Sequence, residues 1–406
     1  MESVALGIWV EAGGRHEPSR LSGVSHFIEH LLFKGTEKRT ARDISRAIEG
    51  VGGYLNAFTQ EENTCYYARV SSDRTWKALD VLSDMHLNAS FRPADLEKER
   101  GVIIEEIMMY LDQPQYAVQE MLSGLVWPGH PLGRPVTGIP ESIGRMTRNE
   151  IVGYHRRAYS PGRTVMAFSG RIDHDSCVDR TGRIFEGIEN CGRGRIRRKP
   201  VTHQTGQNRF EFRRRNIEQT HLALGFRLFG RHDERKYALK ILSSILGENM
   251  SSRLFQVVRE QHGLAYSVNS SCHLFHDSGV LAVTAGLDPS NYEKALELVV
   301  RELQKLKSRT VGEKELKRAK DYVTGQMKLG LESTANRMMW LGENMLSHGK
   351  FVSPDDTITK ISEVRPHEIQ KVARTIFKRS RSSLASITPE SCMADESAAE
   401  RILKKL

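Results

Sequence analysis

A repeat at half the chain's length constrains its fold more than any other feature. Ala223-Leu224-Gly225-Phe226-Arg227-Leu228, followed by Gly230-Arg231-His232-Asp233, echoes Ala5-Leu6-Gly7-Ile8-Trp9-Val10, followed by Gly14-Arg15-His16-Glu17. The offset is 218 residues across the strand-like run and 216 after the loop, so the two loops differ by two residues. A period this long means two copies of one domain, not a stacked solenoid. The length of 406 residues agrees: it exceeds one ordinary core and suits two domains of roughly 200 residues each. In both copies the opening run reads as a core strand, and a helix follows.

The helix of the first copy differs from its twin. Gly23-Val24-Ser25-His26-Phe27-Ile28-Glu29-His30-Leu31-Leu32-Phe33 places Val24, Phe27, Ile28, Leu31 and Leu32 on one apolar stripe. His26, Glu29, His30 and Phe33 share the opposite face. Two imidazoles and a carboxylate therefore project together from a helix whose back is buried. His26 and His30, one turn apart, can reach one ion. Glu29 sits between them, placed to act as general base on water at a metal site, and the order HxxEH, the inverse of HExxH, is a known alternative in metallopeptidases. A catalytic zinc takes three protein ligands and keeps a fourth position for water. At the 216 offset His26, Glu29 and His30 map onto Leu242, Ile245 and Leu246, so the second copy keeps the apolar helix without the metal-type side chains.

The third ligand comes from elsewhere in the chain. The helix Asp95–Ile107 is the best source. Glu99 and Glu106, seven apart, share a face away from Ile103, Ile107 and Leu111, while Glu105 points about 100° from Glu106. Periodicity alone does not choose between Glu105 and Glu106.

In chain order, residues 4–12 read as a strand and 13–22 as a polar loop, with Ser22 as N-cap of a helix over 23–34. A helix at about 40–51 precedes a hairpin of 54–59 and 64–70. Helices follow at 73–88 and 93–113, the latter closed by Pro114, then a helical stretch with loops to 159, a strand at 164–169 and a helix at 173–187. In the second copy, strands at 265–275 and 279–287 lead to helices at 289–308, 312–330, 332–348 and 366–378, then a strand at 383–388. The basic, glycine-rich run 191–200 reads as a solvated linker, dividing the chain into 1–190, a linker at 191–208, and 209–406.

The net charge of +10 is scattered and no nucleic-acid-binding signature accompanies it, so nucleic acid is not an expected partner. No apolar run approaches the roughly 20 residues of a membrane helix. The five cysteines (Cys65, Cys177, Cys191, Cys272 and Cys392) are widely spaced and lack a CxxC, which argues against a disulfide framework and for a reducing compartment. Met1-Glu2-Ser3 carries no secretory signal and leads straight into a strand, which suggests that some N-terminal sequence is missing.

His26–Thr36 and Glu99–Glu106 resemble the pitrilysin (insulinase-like) zinc metallopeptidases, in the branch of the mitochondrial processing peptidase and its bacterial homologues. The likeness covers nearly the whole chain, including Leu55-Asn56-Ala57-Phe58-Thr59, His130-Pro131-Leu132-Gly133-Arg134 and Arg259–Tyr266. The resemblance implies an α+β fold of two homologous domains, each a mostly antiparallel sheet flanked by helices. It implies one zinc ion per chain on His26, His30 and Glu106, the last lying 76 residues beyond His30, which decides against Glu105. It implies Glu29 as general base and Glu99 as a carboxylate supporting a ligand. Arg259 and Tyr266 would hold the peptide and steady the tetrahedral intermediate. Asn56, Ala57, Phe58 and Thr59 would form the edge strand onto which substrate adds. The chain departs from the family in lacking a further strand ahead of Val4.

The expected activity is zinc-dependent endopeptidase action on unfolded peptides or presequence-like segments inside a dimeric chamber, with a non-catalytic assembly subunit as the alternative. A homodimer is favoured over a heterodimer because the zinc set and the Arg259/Tyr266 pair lie on one chain. The expected compartment is bacterial cytoplasm, with an organelle matrix as the alternative.

Overall fold

In the computed structural model, described for residues 2–188, 198–202, 209–392 and 395–406, the first strand is buried on both faces. β1 (Ser3–Val10) sends Val4, Leu6, Ile8 and Val10 to one side and Ala5, Gly7 and Trp9 to the other, nearly all out of solvent. A strand apolar on both sides needs helices above and below its sheet. After β1 come α1 (Val24–Leu32), α2 (Ala41–Ile48), β2 (Tyr54–Thr59), β3 (Thr64–Ser71), α3 (Thr75–Asn88), α4 (Pro93–Asp112), α5 (Pro114–Val126), α6 (Pro140–Arg145), α7 (Arg148–Ala158), β4 (Thr164–Gly170) and α8 (His174–Phe185). The second half carries β5 (Arg209–Arg215), β6 (Thr220–Leu228), α9 (Lys236–Gly247), β7 (Ala265–Leu274), β8 (Gly279–Leu287), α10 (Tyr292–Ser308), α11 (Glu313–Gly330), α12 (Thr334–His348), α13 (Pro354–Glu363), α14 (Pro366–Ile376), β9 (Ser382–Pro389) and α15 (Glu396–Leu403).

The first sheet runs β2-β3-β1-β4 and is antiparallel throughout, with Leu6 opposite Ala68 on one side and Phe168 on the other. The second runs β5-β9-β6-β8-β7, antiparallel except for the β5–β9 pair. Both belong to the α+β class expected from the sequence. β1 and β6 are counterparts by sequence and by position, each paired with a β-hairpin strand on one side and a late strand on the other.

The chain divides into two units, but not at the linker. The first unit comprises 1–109, 134–199 and 328–352; the second comprises 110–133, 200–327 and 353–406. The expected split into 1–190 and 209–406 therefore differs from the structure at two helices. α12 packs on β1 and β4 of the first unit, and α5 packs on β6 and β9 of the second. The reason lies in the sheets. Ala5, Trp9, Cys65 and Ala167 form a small core with Met338 of α12. Ala223, Ala385 and Ile387 do the same with Ala117, Val118, Met121 and Leu122 of α5. Gly7 admits Met338 and Gly225 admits Leu122 so closely that a Cβ on either glycine would lie 2.6 or 2.9 Å from the opposing side chain. The repeated Ala-Leu-Gly thus marks where a helix crosses each strand.

Most of the linker read at 191–208, including Cys191, lies outside the described residues. Three elements had no counterpart in the sequence reading: β5, α13 and α15. β5 reads Arg-Phe-Glu-Phe-Arg-Arg-Arg, which looks like a continuation of the basic linker, yet Phe210 and Phe212 pack on the second core. Pro114 ends α4 as expected and also opens α5 at its first turn, where a missing N–H costs nothing.

Candidate metal centre

The site is built on α1, and a buried carboxylate fixes where α1 begins. Ser22 is not the cap. Gly23 precedes the helix with φ +92°, and a Cβ there would lie 2.5 Å from the Thr137 carbonyl. The first free N–H groups of the helix are taken by Glu17. Its Oε2 accepts from Gly23 N at 2.7 Å and its Oε1 from Ser25 N at 2.8 Å. Burial raises the Glu17 pKa, against those hydrogen bonds and the nearby Arg134. Arg134 also donates to the Glu17 carbonyl at 2.7 Å. Val24, Phe27, Ile28, Leu31 and Leu32 are buried as the stripe predicted, so the helix cannot rotate and its polar face has one direction.

On that face His26 and His30 stand with ring centroids 4.7 Å apart. α4 brings in Glu106, its Oε2 lying 3.8 Å from His26 Nε2 and 3.4 Å from His30 Nε2. Ligand atoms of His26, His30 and Glu106 all fall within 4.8 Å of one another. Tetrahedral zinc with bonds near 2.0–2.2 Å needs its ligands about 3.4 Å apart, so the Glu106 spacings already suit an ion and no pair exceeds that figure by more than about 1.4 Å. Glu105, the competing carboxylate, is exposed on another face of α4. Glu99 is buried on α4, accepts from His30 Nδ1 at 3.2 Å and pairs with Lys34 at 2.8 Å. That bond leaves His30 Nε2 as the nitrogen aimed at the centre.

The donor chemistry fits a divalent cation. His26 Nδ1 is buried with no hydrogen-bond partner among the described residues, and its Nε2 is beyond hydrogen-bond reach of Glu106. A buried imidazole so poorly satisfied is costly unless something else engages it. Burial, with His30 beside it, lowers the His26 pKa to about 4, keeping it in the neutral form that ligates. His30 moves the other way. Burial alone would lower it, but hydrogen bonds to Glu106 and Glu99 outweigh that and raise it above 6.5. Glu106 and Glu99 thus favour a proton on His30 while His26 is held neutral.

Glu29 stands between the two histidines in sequence and is mostly buried. Burial raises its pKa from the ordinary 4.5, opposed by a hydrogen bond from Thr59 and by His30. A carboxylate shifted towards neutrality is suited to take a proton and give it back. Thr59 Oγ1 donates to Glu29 Oε2 at 2.5 Å. Thr59 ends β2, the outer strand of the first sheet, as the edge-strand reading of Asn56, Ala57, Phe58 and Thr59 expects. On that strand the Ala57 N–H donates to Asn56 Oδ1 at 2.8 Å, and Asn56 Nδ2 donates to the Tyr54 hydroxyl at 2.6 Å.

Arg259 and Tyr266 belong to the second unit, and each sits on a local irregularity. Arg259 lies in a π-helical turn, Phe255–Gln261, with its guanidinium over the Phe255 ring at 5.0 Å. Tyr266 is the extra residue of a bulge between Ala265 and Ser267 and is 61% exposed, not buried as its strand context suggests. Such irregularities are over-represented at functional positions. Periodicity has no means of finding the residues missed in the sequence, Glu17 and Lys34. Glu17 acts from outside the helix it caps, and Lys34 lies past the end of α1, whose C-cap is Phe33.

Residues 1–139 match the family described as Insulinase (Peptidase family M16), and residues 145–323 match the Peptidase M16 inactive domain. An uncharacterized zinc protease of Mycobacterium bovis is 40% identical over 380 residues, covering 93% of this chain and 87% of that protein. The chain belongs to the M16 peptidase family. An uncharacterized zinc protease of Bacillus subtilis is 37% identical, with 97% of this chain and 95% of that protein covered. The crystal structure of a protease from Helicobacter pylori shares the fold at a TM-score of 0.92 and 22% identity, covering 96% of this chain and 95% of that one. The M16 match to the second half, by its description an inactive domain, accords with Leu242, Ile245 and Leu246 standing where the first half has ligands. No helix among the described residues is long and apolar enough to cross a membrane.

Proposed function

We propose that this chain is a zinc-dependent endopeptidase acting on unfolded peptides or presequence-like segments. The convergence of His26, His30 and Glu106 with Glu29 beside them carries this reading, and the relatives' description as zinc proteases supports it. His26 and His30 would offer Nε2 and Glu106 a carboxylate oxygen to one ion per chain. Bound there, zinc acts as a Lewis acid that polarises the scissile carbonyl and acidifies water. Glu29 takes the proton of the attacking water and returns it to the leaving amine. Glu99, held by Lys34, keeps the His30 ring in place through Nδ1. A substrate strand adding at β2 would meet Ala57 and displace the Asn56 side chain from its N–H. Arg259 and Tyr266 are assigned to grip the peptide and steady the oxyanion. Because both sets of residues lie on one chain, a homodimer enclosing the substrate in a chamber is the assembly we favour, in the bacterial cytoplasm.

The test is digestion of a mixed peptide library by the purified full chain, with and without chelator, read by mass spectrometry. Cleavage abolished by chelator and restored by zinc supports the proposal. Protein holding one equivalent of zinc yet cleaving nothing, alone or with any partner subunit, would overturn it in favour of an assembly role.

A further inference from the structure

We infer that Thr59 is a positioning residue whose hydroxyl locks the Glu29 carboxylate in the orientation for proton transfer. The inference rests on the peptidase reading above but concerns a residue that reading uses only as part of the substrate-binding edge.

Proton bookkeeping gives the direction of the bond. Thr64 Oγ1 donates its one proton to the Ala12 carbonyl at 2.9 Å. Thr59 therefore faces two acceptors, Thr64 Oγ1 at 3.3 Å and Glu29 Oε2 at 2.5 Å. The carboxylate is nearer and charged, so it takes the proton. One Glu29 oxygen is tied to the sheet while the other is left for chemistry. Thr59 and Thr64 are opposite each other in the β2–β3 register, and Thr64 is fully buried, so the anchor belongs to the framework of the sheet.

The second copy supplies an independent observation. Pairing runs Val10–Thr64–Thr59 in the first sheet and Leu228–Gly279–Leu274 in the second. With Val10 and Leu228 as counterparts, Leu274 stands where Thr59 does, just as Ile245 stands where Glu29 does. Leu274 packs against the same core cluster that contains Ile245. The two positions are polar together in the copy with the metal ligands and apolar together in the copy without them. A threonine serving only as a strand former has no reason to change in step with the base.

The experiment compares Thr59→Val, which keeps shape and removes the hydroxyl, with Thr59→Ser, which keeps the hydroxyl, on one cleaved peptide. Expected is a kcat about 10- to 100-fold lower for Val with KM within about twofold, restored to within about threefold of wild type by Ser. Zinc content stays at wild-type level in both. A second readout needs neither metal nor substrate. In chelator-treated protein, Thr59→Val should lower the melting temperature in the wild-type background and lower it clearly less in a Glu29→Leu background, where only the weaker contact with Thr64 is lost. Should Val at 59 fail to fold, Thr59→Ala takes its place in both comparisons. A raised KM at unchanged kcat, a Ser variant no better than Val, or equal melting shifts in the two backgrounds would overturn the inference. An inactive wild type fails the peptidase reading instead, and the melting comparison then still decides whether the two side chains are coupled.

Discussion

α1 and α9 are the same helix put to two uses. In α9 the positions matching His26, Glu29 and His30 are Leu242, Ile245 and Leu246, all buried, so that helix is apolar on both the sheet side and the side that α1 leaves polar. It packs against β7, a strand of ten residues. α1 instead faces β2, a strand of six that ends at Thr59, and His30 and Glu29 stay partly accessible. The backbone frame is shared; the chemistry comes from leaving one helix face uncovered and exchanging three apolar side chains for ligands and a base. The exchange is not confined to the helix. Glu106 and Glu99 arrive from α4, and Thr59 from the strand beside it.

The largest effect that separates the copies is at Glu29. Glu29→Gln should retain zinc and lose about 10³-fold in kcat, since a general base is removed with its shape kept. Steady-state kinetics beside metal analysis checks this, and activity within tenfold of wild type would remove the chemical distinction between α1 and α9. Metal content sharpens the same comparison. About one zinc per chain is expected, falling below a tenth in His26→Ala or His30→Ala; two per chain would place a site in the second copy. Uptake should also weaken in acid. His30 without metal holds a proton above the usual pH of 6.5. The ion must displace that proton, so below this raised value affinity falls up to about tenfold per pH unit. Zinc titrations at pH 8, 7 and 6 test the sign.

Much of this was legible because the signals were local. The stripe of Val24, Phe27, Ile28, Leu31 and Leu32 fixed the face of α1, and the spacing of His26, Glu29 and His30 did the rest. The choice of Glu106 over Glu105 was not legible from periodicity, since both are helical carboxylates. It depends on how α4 lies against α1, and the resemblance supplied it. The exchange of α5 and α12 between units was hidden for a different reason. Nothing in an amphipathic helix says which sheet it covers, although Gly7 and Gly225 mark that something crosses closely there. β5 was missed because its arginines extend a basic run while only Phe210 and Phe212 reach the core.

The two units should also respond differently to acid. Burial lowers the pKa of His16 to about 3, with Arg198, Arg15 and Arg163 adding to the effect. Burial does the same for His86, to about 3, and for His155, to about 4. All three are in the first unit. The unfolded chain takes up these protons near pH 6.5 and the folded one only far below, so stability is full above 6.5 and declines as pH falls beneath it. Between pH 7.5 and 5 each contributes a loss of about 1–2 kcal/mol. The second unit has the half-buried His221, lowered by burial, and should lose less. Hydrogen exchange at pH 7.5 and 5, corrected for intrinsic rates, would show 64–71 losing more protection than 279–287; equal losses would contradict the assignment.

The smallest expected effect tests the crossings themselves. Alanine normally favours a helix interior over glycine by about 1 kcal/mol, and Gly342 is in the middle of α12. A Cβ there would lie 2.0 Å from Trp9 Nε1 and 2.3 Å from its Cδ1. The indole is buried between sheet and helix, so relieving the overlap must move the ring or the helix. Gly342→Ala should therefore destabilise the first unit by a net of about 1–3 kcal/mol. Gly7→Ala meets the Met338 sulfur, on a chain that can change rotamer, and Gly225→Ala meets the tip of Leu122. Both should cost less than Gly342→Ala, and Gly225→Ala should act on the second unit alone. Urea unfolding of the three variants ranks them. If Gly342→Ala proves as stable as wild type, α12 is not held against Trp9 as closely as its packing requires, and the first sheet does not depend on the helix it takes from the other half of the chain.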